Sequence, residues 1–136
     1  MKASLLCVLL ALIPITLSAQ TVTVQPTKAE FTASVNHNDV ITGTTTPVVT
    51  SYTITVLAGS TTVLAAVSLG KPTPDGTNTI SVPLSSIAGF LSLPKNTVYT
   101  SAVTTVGPAG TATSALSNPF VFAPVPVAVS GLVVKP

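Results

Sequence analysis

The sequence predicts an all-β protein, an antiparallel sandwich of about seven strands, on three observations. From Gln20 onward Thr, Val, Ser and Ala dominate, and β-branched side chains at that density crowd χ1 in a helix but sit easily on a pleated strand. Short stretches alternate apolar with polar residues between turn signals rich in Gly and Pro. No helical run is long enough to cross over between parallel neighbours, which leaves antiparallel pairing in two packed layers. A barrel or jelly roll is the alternative packing of the same strands.

The first nineteen residues belong to another category. Lys2 precedes the apolar stretch from Ala3 to Leu17, and polar residues then take over. A positive start, an apolar centre and small residues at the end are the layout of a secretory signal peptide, here 1–19, cut after Ala19 or after Ser18. An uncleaved anchor needs about 20 apolar residues to span a bilayer, and this run is shorter and contains Pro14. The expected destination is the outside of the cell, its surface or a periplasm, with no membrane contact after cleavage. Cys7 is the one cysteine, and it lies inside the leader, so the processed chain carries no thiol, disulfide or lipid attachment cysteine.

The domain then runs from 20 to 123. Thr21 to Gln25 and Glu30 to Val35 are short strand candidates separated by Pro26. Ser51 to Leu57 is the clearest strand, with Tyr52, Ile54 and Val56 on one face and Ser51, Thr53 and Thr55 on the other. A hairpin turn at Ala58-Gly59-Ser60 leads into a strand over Thr62 to Leu69. Lys71-Pro72-Thr73-Pro74-Asp75-Gly76 is a loop, with Gly76 supplying a positive φ. Thr79 to Leu84 alternates again, and Pro83 confines it to an edge or a strand end. Ser85 to Leu91 has the spacing of one helical turn, capped by Ser85 or Ser86, with Ile87, Phe90 and Leu91 on one side. In the long strand Thr97 to Val106, Val98, Thr100, Ala102, Thr104 and Val106 share one face while Tyr99 and Val103 share the other. Gly107-Pro108-Ala109-Gly110 turns the chain into a last strand, Thr111 to Phe122, broken at Asn118-Pro119 because proline cannot donate to a ladder.

Leu93-Pro94-Lys95-Asn96-Thr97-Val98-Tyr99, followed by Val103, Gly107, Gly110 and Ser114, resembles the second half of a fibronectin type III domain. In that immunoglobulin-like family a leucine six residues before a tyrosine packs beside it at the corner entering strand F, and a glycine turn leads on to strand G. Leu93, Tyr99 and Val103 fit those places, and Tyr52 fits the aromatic of strand C, so the likeness covers Val49 to Phe122. The first half departs from the pattern, because the family's strand-B tryptophan has no counterpart in a chain without Trp, and Phe31 is the aromatic available to fill its volume. The resemblance implies a spacer, scaffold or interaction module without catalysis. No Arg-Gly-Asp tripeptide is present, there being no Arg.

Composition argues against chemistry. Charged residues make up 6% of the chain, against about 25% in an ordinary soluble protein, so little material exists for acid-base work. Without Lys2 the chain carries four Lys and three acids, a net charge of +1, and lacks the clustered cations that bind nucleic acid or acidic membranes. Asn36-His37-Asn38-Asp39 is the densest polar cluster and holds the one histidine. One imidazole and one carboxylate fall short of the three or four protein ligands of a zinc site, and calcium needs more carboxylates than Asp39 supplies. The cluster reads as a loop whose Asn and Asp side chains bond to nearby backbone. No Gly-x-Ser-x-Gly elbow or second base activates a hydroxyl, so no catalytic, cofactor-binding or metal residue is expected and the protein is expected not to be an enzyme. A carbohydrate or small-ligand binder would need exposed aromatics, and two Tyr and four Phe are mostly needed for the core.

The tail from 124 to 136 is the remaining feature. Val125, Val127 and Val129 alternate with Pro124, Pro126 and Ala128, and Leu132, Val133 and Val134 follow Gly131. So apolar a segment either folds back along its own sandwich or supplies a strand to a neighbour, as in donor-strand complementation. Lys28, Lys71 and Lys95 fall at loops or strand starts, which leaves strand edges thinly guarded. The expectation is a secreted, non-catalytic structural or protein-interaction module with no cofactor. The alternative is a subunit of a homopolymeric extracellular or surface assembly joined through Val125, Val127, Val129, Leu132, Val133 and Val134.

Overall fold

The computed structural model describes residues 20–127, 130 and 133. The expected signal peptide 1–19, with Lys2 and Cys7, and the tail positions Val129, Leu132 and Val134 lie outside the described residues. The described chain is all-β, with strands β1 (Thr23–Val24), β2 (Lys28–Thr32), β3 (Ser51–Ala58), β4 (Thr61–Gly70), β5 (Thr79–Pro83), β6 (Val98–Gly107), β7 (Gly110–Thr113) and β8 (Phe120–Val121). One sheet has the order β1-β8-β6-β3-β4, with β7 also on β6, and β2 pairs with β5 in a second sheet. Side chains of both sheets enter one core, among them Ile80 and Val82 from β5 and Tyr52, Ile54 and Val56 from β3.

β3 is central because its alternation is strict. Tyr52, Ile54 and Val56 are buried while their neighbours are half-buried, and β4 and β6 flank it on either side in antiparallel register. The turn into β4 places Gly59 at φ +60°, the first central position of a tight hairpin, which favours glycine. β4 is irregular: its register against β3 shifts at three places, and Ala66 takes φ +42°. β5 buries Ile80 and Val82 and ends at Pro83, as expected of a proline at a strand end. In the loop before it, the positive φ falls on Asn78 (+62°) and not on Gly76. The Asp75 carboxylate accepts the N–H groups of Thr77 and Thr79 at 2.8 and 3.0 Å, so the turn tightens two residues later, at a residue type that tolerates the left-handed region.

Several boundaries differ from the sequence reading. The second strand starts at Lys28 and ends at Thr32, because the chain turns away after Ala33 N–H donates to Asn78 O. The expected helical turn is two separate 3-10 turns, Leu84–Ser86 and Phe90–Ser92, neither with a side-chain cap. Ser86 Oγ donates to Pro83 O instead of accepting from the backbone. So short a segment does not repay the nucleation of an α-helix. Ile87 and Phe90 are buried as their spacing requires, but Leu91 is exposed. On β6, Tyr99 and Val103 face the core; Ala102, on the other face, is also buried.

The last strand divides earlier than Asn118-Pro119, giving eight strands. β7 leaves the ladder after Thr113, yet the chain stays beside β6 because two serines act in place of ladder partners. Ser114 N–H donates to Val103 O and Ser117 N–H to Ser101 O. In return Val103 N–H donates to Ser114 Oγ and Ser101 N–H to Ser117 Oγ. β8 then rejoins β6, opposite Val98 and Tyr99. Pairing is not antiparallel throughout, since β1 runs parallel to β8, with Thr23 N–H on Pro119 O and Gln25 N–H on Val121 O. This contact uses the carbonyl of Pro119, which lacks only a donor.

Candidate functional site

The polar cluster is a turn, and its histidine is not at the surface. His37 N–H donates to Ser34 O and Asp39 N–H to Asn36 O, while Asn36 Nδ2 donates to Asp39 Oδ2 at 2.8 Å. The bond between the two side chains takes the place of the side chain to backbone bonds expected there. His37 is 5% exposed and stacks on the Tyr52 ring at a centroid distance of 5.7 Å. Its Nδ1 lies 2.8 Å from Tyr52 Oη, an oxygen that accepts Ser34 N–H. Burial, and then the charge of Lys71, hold the imidazole below its ordinary pKa. A neutral His37 is therefore the lid on a buried tyrosine hydroxyl. Among the described residues no three His, Cys, Asp or Glu side chains gather as a metal would require.

The two depressed carboxylates are equally local. Hydrogen bonding to Lys28, and then its charge, lower the Glu30 pKa, the pair lying 2.7 Å apart on the exposed face of β2. Backbone N–H of Thr79, followed by the Thr77 hydroxyl, lowers Asp75. These groups complete a strand edge and a loop.

The seam between the two sheets is hollowed. Among the described residues, β2 has β5 on one side and no strand on the other. Between that edge and the segment 114–118 lies a cleft of about 300 Å³, lined by Phe31, Ile54, Phe90, Val103, Ala115 and Phe120 among others. A shallower hollow sharing Phe31, Val103 and Ser114 continues it toward Tyr52 and Thr105. The tail lies elsewhere: Val125 is 84% exposed, Val127 93% and Val133 72%. These residues do not pack along their own sheets.

The sequence isolated the valine tail but not the seam. The cleft exists because β1 pairs with β8 and leaves β2 unaccompanied, a choice of partner that no local pattern encodes. The His37 contact had one available signal, since a buried tyrosine hydroxyl needs a partner and the densest polar cluster upstream of Tyr52 is 36–39. Comparison of the chain with protein-family models, curated proteins and solved structures returns no match.

Proposed function

We propose that this chain is a secreted, non-catalytic structural or protein-interaction module built as an immunoglobulin-like sandwich of the fibronectin type III kind. The corner supports the fold: Leu93 and Tyr99 are both buried, and Tyr99 Oη donates to Pro94 O at 2.8 Å, the tyrosine-corner bond typical of such sandwiches. One contrast carries the function. All six aromatic rings lie in or against the core, whereas Val125 and Val127, a few residues after Phe122, stand in solvent. A domain that keeps its aromatic rings inside and extends a β-branched segment outside is suited to engaging another protein.

The exposed valines also favour a second reading, a subunit of a homopolymeric assembly joined through the tail. Size-exclusion chromatography with light scattering, on chain recovered outside the cell, tests both. N-terminal sequencing should begin at Gln20 or Ala19, and a retained leader would overturn secretion. The native chain should elute above monomer mass, and Val125→Lys with Val127→Lys should return it to monomer. A native monomer at all concentrations would remove the polymer reading and leave engagement of a different protein as the role.

A further inference from the structure

We infer that the free edge of β2 is the acceptor for the Val125 to Val127 segment of a second copy, which adds as a strand parallel to β2 and fills the seam. This rests on the assembly reading above and supplies its missing half. β2 presents real donors and acceptors. Leu84 N–H bonds to Thr27 O and Ala33 N–H to Asn78 O, so the backbone groups of residues 27, 29, 31 and 33 point toward β5. By the alternation of a strand, those of Lys28, Glu30 and Thr32 point toward the open edge. The register of β2 on β5 is unbroken over five residues, unlike bulged β4, whose outer edge is also unpaired among the described residues but whose irregularity blunts it.

Parity fixes the orientation. In an antiparallel addition, residues bonding to Lys28, Glu30 and Thr32 have their side chains on the same face as those residues, the face that β2 exposes. Valines placed that way would point into solvent. Turned inward, they would present Pro124 and Pro126 to β2, and proline has no N–H to give. In a parallel addition the bonded residues are those flanking the opposite position, so their side chains lie on the other face, over Phe31 and Val103. Val125 and Val127 can then donate to β2 and bury their side chains together. Pro124 and Pro126 form the outer edge, where they stop a further strand from joining.

Chain direction makes the donor a second copy. Asn96 N–H bonds to Phe122 O and Gln25 Oε1 accepts Ala123 N–H, so the tail starts from a fixed point at the Val98 end of β6. β2 leaves that same end, beyond Gln25, and finishes where Ser34 meets Tyr52, opposite Thr105. β2 therefore runs up the molecule while β8 and the tail run down. Pro124 and Pro126 hold themselves and the residues before them extended, so the chain cannot reverse before Val127. By then both valines lie outside the reach of their own seam, in agreement with their exposure. A five-residue edge spans about 17 Å, of which Pro124 to Val127 cover about 13 Å. Donor and acceptor are different surfaces of one chain, so the contact is head-to-tail and propagates.

Light scattering of full-length variants tests the assignment. Glu30→Pro removes one edge donor at an exposed position, and Ala115→Lys fills the cleft from its opposite wall. Each should lose the assembled species, while Pro126→Lys, with the same added charge on the outward face, should keep it. Mixing Ala115→Lys chains, whose tail is intact, with Val125→Lys/Val127→Lys chains, whose groove is intact, should give a dimer that neither forms alone. If Glu30→Pro lowers the melting temperature, Ala115→Lys and the mixture decide. Tail-dependent assembly that survives both groove variants overturns this acceptor and leaves the tail reading standing. A native chain that stays monomeric overturns both.

Discussion

Tyr99 and Tyr52 are both about 1% exposed, yet their hydroxyls are satisfied in different ways. Tyr99 bonds to backbone five residues upstream and packs against Phe120, so it ties a corner to the core. Tyr99→Ala should cost about 3 to 5 kcal/mol, as for other large aromatic truncations, and Tyr99→Phe about 1 kcal/mol for the lost bond. Denaturant titration measures both, and an alanine loss under about 1 kcal/mol would make the ring peripheral. Tyr52 relies on His37, whose pKa is lowered in the folded chain. The unfolded chain therefore takes up the proton first as pH falls through the ordinary histidine value of 6.5, and stability declines below it until the folded imidazole also titrates. The melting temperature should drop between about pH 7 and about pH 5, a drop that His37→Gln should flatten. Equal slopes in the two proteins would mean that His37 is not held neutral. Glu30 and Asp75, lowered as they are, act only at more acid pH.

Elements show where backbone, not side chain, sets the limit. Gly107 ends β6 beside the start of β3, where Thr50 N–H donates to Val106 O. A Cβ built on Gly107 would lie 2.1 Å from Val48 O, a backbone atom that cannot swing aside. Gly107→Ala should cost about 2 kcal/mol or more through forced backbone movement, whereas Gly110→Ala at the far side of the same turn meets no atom within 4 Å and is strained only by its φ of +134°. Thermal melts of the two variants compare steric with conformational cost, and an undisturbed Gly107→Ala would show the β3 and β6 ends to be looser than their contacts imply. Ser114 and Ser117 follow the same logic: the ladder breaks, but the N–H groups of Ser101 and Val103 on β6 remain paired.

Across the whole molecule, the placement of β1 has the widest effect. Two residues paired in parallel with β8 close one edge of the large sheet and leave an edge of the small one open. The open edge adjoins the apolar seam, and the exposed valines leave from the opposite direction of travel. Assembly through these surfaces should raise the melting temperature with protein concentration, by mass action, and Val125→Lys with Val127→Lys should abolish that dependence. A melting temperature independent of concentration in the native chain would mean that the folded unit gains nothing from its neighbours.

Residue order alone determined the all-β class, the buried faces of β3 and β5, the turns at Gly59 and Gly107 to Gly110, and the isolation of an alternating valine tail. These follow from period-2 patterning and from Gly and Pro constraints, which act within a few residues. Tertiary structure decided the rest. His37 under Tyr52, the parallel β1–β8 pair, the break at Ser114 and the seam beside β2 all join positions far apart in the chain. Such contacts depend on which edge meets which partner, and a strand's alternation specifies its faces but not its neighbours.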